Sequence, residues 1–232
     1  LPQHLPISIE ILNVVYSFIK GVSMTEMRKT PNKSKALRDE SIIDTIIIHY
    51  TGSMSTEGTL QWFGNNDAKV SAHYVISRTG KVFQYENWRT TLWHAGKSEW
   101  NGRSSLNGTS IGIELVGTYH SGFELKQMAS LWGVLRDIYR ELPIKYVLGH
   151  EQVSPGRKTD PGPSFDWTYI RTQVESDHIP GLERVGPYTV QPPDLPRPVV
   201  AIHTTMPSGD DTASSLSLWE VLSKWLNRID LG

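Results

Sequence analysis

The chain has no cysteine. Disulfides and thiolate metal ligands are therefore excluded, and any metal must be held by His, Asp or Glu. Net charge is also scarce: 23 Lys and Arg stand against 24 Asp and Glu, for a formal −1. That balance does not supply the broad basic face that grips nucleic acid, so no nucleic-acid partner is predicted. No run of about 18 apolar residues occurs, and no transmembrane segment is predicted. The apolar N-terminal stretch LPQHLPISIEILNVVYSFIKG lacks a basic start, is interrupted by Glu10 and is followed by no A-x-A-like cleavage site. It is not read as a secretory signal.

Familiar catalytic signatures are missing as well. His150-Glu151 begins like H-E-x-x-H, but Ser154 takes the fifth position and no helix is indicated there. There is no H-x-E with P-C-x-x-C, no G-x-S-x-G elbow, no phosphate loop and no G-x-G-x-x-G.

What is present is a soluble globular composition, 38% hydrophobic and 20% charged over 232 residues. That length suits one domain with extensions. Residues 1–40 read as an N-terminal arm: a short amphipathic helix through Ile9, Leu12, Val15 and Phe18, then a polar, basic loop, TEMRKTPNKSKALRDES. Residues 41–180 read as the main domain, 181–212 as a Pro-rich linker and 213–232 as an amphipathic helix. That last helix is expected to dock on the domain or to self-associate.

Within the main domain, Ser41–His49 is a β-branched run too short for a helix and reads as a buried central strand. Ser55 or Thr56 caps a short helix. Ser71–Ser77 and Lys81–Tyr85 flank Arg78-Thr79-Gly80 as a β-hairpin. Thr90–Asn107 is a long irregular stretch of the kind that usually carries function. In the strand Ser110–Gly117, Ile111, Ile113 and Leu115 point one way, Gly112 and Glu114 the other. Leu125, Met128, Leu131, Leu135, Ile138 and Leu142 form the apolar stripe of a helix over Phe123–Leu142. Tyr146–His150 reads as a strand, and Asp166 caps a helix over Trp167–Glu175. The fold predicted is α/β, a central mixed sheet with helices on both faces.

Three candidate ligands sit at strand ends or in the loops beyond them: His49, His150 and Asp160. Two imidazoles and a carboxylate suit zinc, and three protein ligands leave a fourth position for water or substrate. Eight histidines occur, and a lone one is more often a surface or satisfied core residue than a ligand, so spacing alone is weak evidence.

The segments IIIHYT, VSAHYVISRTGKVFQY, WHAGKS, TSIGIELVG and GHEQVSPGRKTDPGPSFDW resemble, in order and style, the type 2 N-acetylmuramoyl-L-alanine amidases. The resemblance covers roughly residues 42–171. It implies a zinc hydrolase that cuts the amide between N-acetylmuramic acid and L-alanine in peptidoglycan or muropeptides. By motif, His49, His150 and Asp160 match the Zn2+ ligands, Glu114 the general acid/base and Lys158 the oxyanion-stabilising cation. His94 falls where family members line the substrate groove. Lys69, Arg103, Asn107 and Trp93 are further candidates there, as cations for muropeptide carboxylates, an amide partner and an apolar contact. Ala72 stands where the phage-lysozyme branch has an assisting Tyr, so the sequence sides with the Glu-using bacterial amidases. The expected setting is the cytoplasm of the producing cell, with action on cytosolic muropeptides or on the wall after release. A non-catalytic peptidoglycan-binding module is the alternative, and it predicts loss of a ligand.

Overall fold

The computed structural model describes residues 25–190. The N-terminal helix, most of the Pro-rich linker and the C-terminal helix lie outside the described residues.

The fold is built outward from β3 (Thr45–Tyr50), whose residues 46–48 are three fully buried isoleucines. It lies between β9 (Ser110–Leu115) and β10 (Tyr146–Gly149), parallel to both. The hairpin β4 (Tyr74–Ile76) and β5 (Val82–Tyr85) continues the sheet beyond β9. The order is β1-β5-β4-β9-β3-β10-β11-β12, with β1 at Glu26–Arg28, β11 at Arg184–Val185 and β12 at Tyr188–Thr189. Antiparallel pairs at both sides make it the mixed sheet expected.

Alternation along the strands divides the core. Ile46, Ile48, Ile111, Ile113 and Leu115 pack against α2 (Leu125–Glu141) and α4 (Trp167–Asp177). Ile47 and Leu148 face the other way, onto Ala95, Leu106 and Val153. On that second face α1 (Thr56–Gly64) inserts Leu60 and Phe63 beside Val75, Phe83 and Leu92. The caps are as expected: Ser55 accepts from Gly58 N–H and Asp166 from Tyr169 N–H. The stripe on α2 holds from Met128 onward. Leu125, at its first position, is 88% exposed. Gln127 is buried instead, donating to the carbonyls of Ile76 and Val116.

The domain is wider than its expected limits of 41 and 180. The basic stretch read as a loop contains β1, parallel to β5, and β2 (Lys33–Leu37), antiparallel to β6 (Thr90–Leu92). Arg38 then enters the core. Its guanidinium donates to the carbonyls of Trp88, Asn107 and Ser110, each at 2.8 Å. Burial pushes this guanidinium down to about 10. Arg38→Ala leaves those carbonyls without their donor and is expected to cost about 3 kcal/mol or more. Arg38→Lys, lacking the planar fork, should fall between. Urea unfolding measures both; an Arg38→Ala loss under about 0.5 kcal/mol would mean the arm is dispensable.

Buried Glu86 makes a second tie to the arm. It accepts from Lys33 at 2.7 Å and from the more exposed Lys29 at 3.3 Å. Burial alone would raise its carboxyl, but the two ammonium groups outweigh that and hold it below 4.5. The folded state therefore binds this proton more weakly than the unfolded chain. The stabilisation is present above about pH 4.5 and lost as pH falls through the folded value. Glu86→Gln is expected to cost about 1–2 kcal/mol at pH 7. Urea midpoints should show the wild-type advantage shrinking below pH 4.5; a gap that stays constant down to pH 3 would count against the pairing.

Candidate metal centre

Parallel register brings the functional side chains to one level. His49 on β3 is paired with Glu114 on β9, and Gly149, paired with Ile48, is followed directly by His150. All lie at the carboxyl ends of neighbouring parallel strands, where α/β sheets place their sites. A one-turn helix, α3 (His150–Val153), opens the segment that was expected to leave the strand as a loop. The chain then returns, and Glu151 N–H donates to the Asp160 carbonyl at 2.9 Å. A β-carbon on Gly149 would meet Pro161 Cδ at 2.7 Å, so only glycine lets the returning loop seat this close to the strand end.

The ring Nδ1 atoms of His49 and His150 converge on Asp160 Oδ2, at 2.8 and 3.0 Å. All three side chains are buried, with ligand atoms within 4.8 Å of one another. On its other side His150 Nε2 meets the Ala95 carbonyl at 3.0 Å. A carbonyl only accepts, so a neutral ring bonded to it carries its proton on Nε2 and leaves Nδ1 bare; the Arg157 guanidinium, a donor, lies farther from the same nitrogen, at 3.3 Å. In that tautomer the Nδ1 lone pair and a carboxylate oxygen face each other with no proton between them. A cation resolves such a pair, and the donor set fits a metal of zinc type. Burial pushes His49 down to about 4 despite the pull of Asp160, which keeps it neutral and able to ligate.

Glu114 stands beside this cluster. Its Oε2 is enclosed and has no hydrogen-bond partner among the described residues. Burial, and then the charge of Asp160, raises its carboxyl well above 4.5, against the opposing pull of Lys158. Lys158 is exposed and lines the same cavity of about 610 Å3 as His49, His150, Asp160 and Glu114. That cavity has an apolar wall of Trp62, Phe63, Val70 and Trp93.

The five predicted groove residues separate. Trp93 and His94 line the cavity; Lys69, Arg103 and Asn107 do not. Lys69 is exposed beyond the rim, next to Val70. Arg103 is paired with Asp44 at 2.9 Å, its charge already engaged. Asn107 Oδ1 accepts from the N–H groups of His94 and Ala95 at 3.0 and 2.8 Å, so it shapes the loop. His73 is buried and accepts from Gly112 N–H at 3.1 Å. His120 and His178 are exposed.

Two residues of this cavity had no sequence signal. Arg157 Nη2 donates to the Ala95 and Lys97 carbonyls at 2.9 and 2.7 Å, bracing the strap that covers His150. Trp62 is 51% exposed on the cavity rim.

The family model for N-acetylmuramoyl-L-alanine amidases (Amidase_2) matches residues 39–163. The 1,6-anhydro-N-acetylmuramyl-L-alanine amidase AmpD of Escherichia coli K12 is 41% identical over 112 residues, 47% of this chain and 61% of that protein. The chain therefore spans about three-fifths of that relative's length. A crystal structure of a selenomethionine AmpD derivative superposes with TM-score 0.56 at 30% identity, over 66% of this chain and 97% of that one. The E. coli amidase AmiD, in complex with anhydro-N-acetylmuramic acid-L-Ala-D-γ-Glu-L-Lys, gives TM-score 0.54 at 30% identity over 60% of each chain.

Proposed function

Because the chain belongs to the N-acetylmuramoyl-L-alanine amidase family, we propose that it is a zinc-dependent hydrolase of the bond between N-acetylmuramic acid and L-alanine. The observation that carries this reading is the convergence of His49, His150 and Asp160 beside an unpartnered buried carboxylate, Glu114, on the floor of an open cavity. Zinc held by those three residues would supply Lewis acidity and a water acidified towards neutral pH.

The chain's own residues supply the rest. Glu114 takes the proton of the attacking water and passes it to the leaving amide nitrogen. Its enclosed position suits it to hold a proton between those steps. Lys158, which lines the cavity and has no ion pair among the described residues, is the cation that would meet the charge developing on the carbonyl oxygen. One such donor is worth roughly 3–4 kcal/mol. The apolar wall of Trp62, Val70 and Trp93 excludes water and receives non-polar substrate surface. Anhydro-muropeptides are the favoured substrate class, since the named relatives act on or bind them. The binding-module alternative required a missing ligand, and all three are assembled. No helix among the described residues is long and apolar enough to cross a membrane.

Digestion of purified peptidoglycan and of soluble anhydro-muropeptide, with mass analysis of products, tests the reading. Free L-alanine amino termini and intact glycan are expected. New reducing ends, or activity unchanged by chelation, would sink it.

A further inference from the structure

Among the described residues, the second ligand imidazole, His49, has no carbonyl behind it. Its Nε2 instead meets another imidazole, His94 Nδ1, at 3.2 Å. On the far side of that ring, His94 Nε2 lies 3.3 Å from Ser110 Oγ. Ser110 Oγ in turn lies 2.6 Å from the Leu106 carbonyl. Protons can be assigned along this line from its fixed end. A carbonyl cannot donate, so the single hydroxyl proton of Ser110 sits between the two oxygens. Ser110 Oγ can then only accept from His94, which carries its proton on Nε2. His94 Nδ1 is left bare and accepts from His49 Nε2–H. The remaining nitrogen of His49, Nδ1, is the one that faces Asp160.

We propose that His94, anchored by Ser110 and given room by Gly112, is a positioning residue that fixes the tautomer of His49 and presents its bare Nδ1 to the metal. This rests on the metal reading above. Gly112 supplies independent support. A β-carbon there would lie 2.4 Å from His94 Cγ and 2.6 Å from His94 Nδ1, inside the ring's own space. Ser110, Gly112 and Glu114 share one face of β9 at period two. That face anchors the ring, clears space for it, and sets the carboxylate next to the ligand. Asn107 holds the His94 backbone from the other side. Metal-ligating histidines usually hand their second N–H to a carboxylate, carbonyl or water; here the acceptor is a neutral imidazole held by a serine.

The test combines zinc affinity, by competition with a chromogenic chelator, and histidine ring 15N NMR on zinc-free protein at neutral pH. Wild type is expected to show Nε2–H tautomers for both His49 and His94. His94→Leu removes the acceptor and should weaken zinc about 10–100-fold. His94→Asn, whose Oδ1 occupies the place of Nδ1, should recover most of that loss. Gly112→Ala, which displaces the ring, should behave like His94→Leu, and Ser110→Ala should mix the His94 tautomers. Unchanged zinc affinity in His94→Leu, no rescue by His94→Asn, or a His49 Nδ1–H in wild type would overturn the proposal. A wild type that binds no zinc would instead sink the metal reading, while the spectra still decide the tautomer.

Discussion

Glu114→Gln is expected to lower kcat by about 10²–10⁴-fold while zinc content stays at the wild-type level. The change keeps the side chain's size and removes only its capacity to take a proton. Glu114 is not among the ligand atoms that converge at His49, His150 and Asp160, so the metal need not leave. Its Oε2 has no partner among the described residues, so no hydrogen bond is lost there. A carboxylate held in that enclosed place is a cost to the fold, and the neutral amide relieves it. The thermal midpoint should therefore be equal or higher, the pattern of a residue kept for activity at the expense of stability. KM on a soluble muropeptide should change little, because the proton is moved in the transition state. A Glu114→Gln enzyme within tenfold of wild type would remove Glu114 from the chemistry. A large activity loss accompanied by zinc loss would assign it to the metal's support.

How far this site could be read in advance depended on whether a residue's role lay in its own pattern or in a distant partner's. The buried strand β3 announced itself as consecutive isoleucines, and β9 by alternation that put Glu114 opposite the helix-facing residues. The caps Ser55 and Asp166 were local and legible. The ligand trio was not legible from spacing; it emerged only from the resemblance. The strands β1 and β2 were hidden because each is short, lysine- and arginine-bearing and paired with residues far along the chain. Charge on edge strands is a device against aggregation, and it looks like a solvated loop. Arg103 and Asn107 had the right chemistry for a groove, yet their polar atoms are taken by Asp44 and by two backbone N–H groups. Such engagement follows from loop conformation, which no periodicity encodes. The line from Leu106 through Ser110 and His94 to His49 was invisible for the same reason.

Removing the metal should invert the stability order of wild type and Asp160→Asn. With zinc at about 100 times its Kd, wild type is expected to gain about 2.7 kcal/mol. That corresponds to a rise of roughly 5–10 °C in Tm for a domain of this size. Chelation reverses the gain and abolishes hydrolysis. Asp160→Asn loses a ligand charge and should show no zinc-dependent shift and no activity. In chelator, however, the variant should unfold at a higher temperature than wild type. In wild type without metal, Asp160 Oδ2 faces His49 Nδ1 at 2.8 Å and His150 Nδ1 at 3.0 Å. If both rings carry their protons on Nε2, towards the Ala95 carbonyl and His94 Nδ1, three acceptors meet with nothing to share. An asparagine amide placed there donates two N–H groups to those two nitrogens. A group-by-group account in which the imidazoles are protonated towards Asp160 gives the opposite result, because the charged pairs would be lost and the variant would be less stable under every condition. Thermal scans of both proteins, with zinc and with chelator, therefore report on the proton positions as well as on the metal: crossing curves support bare Nδ1 ligands, and parallel curves with wild type always higher rule them out.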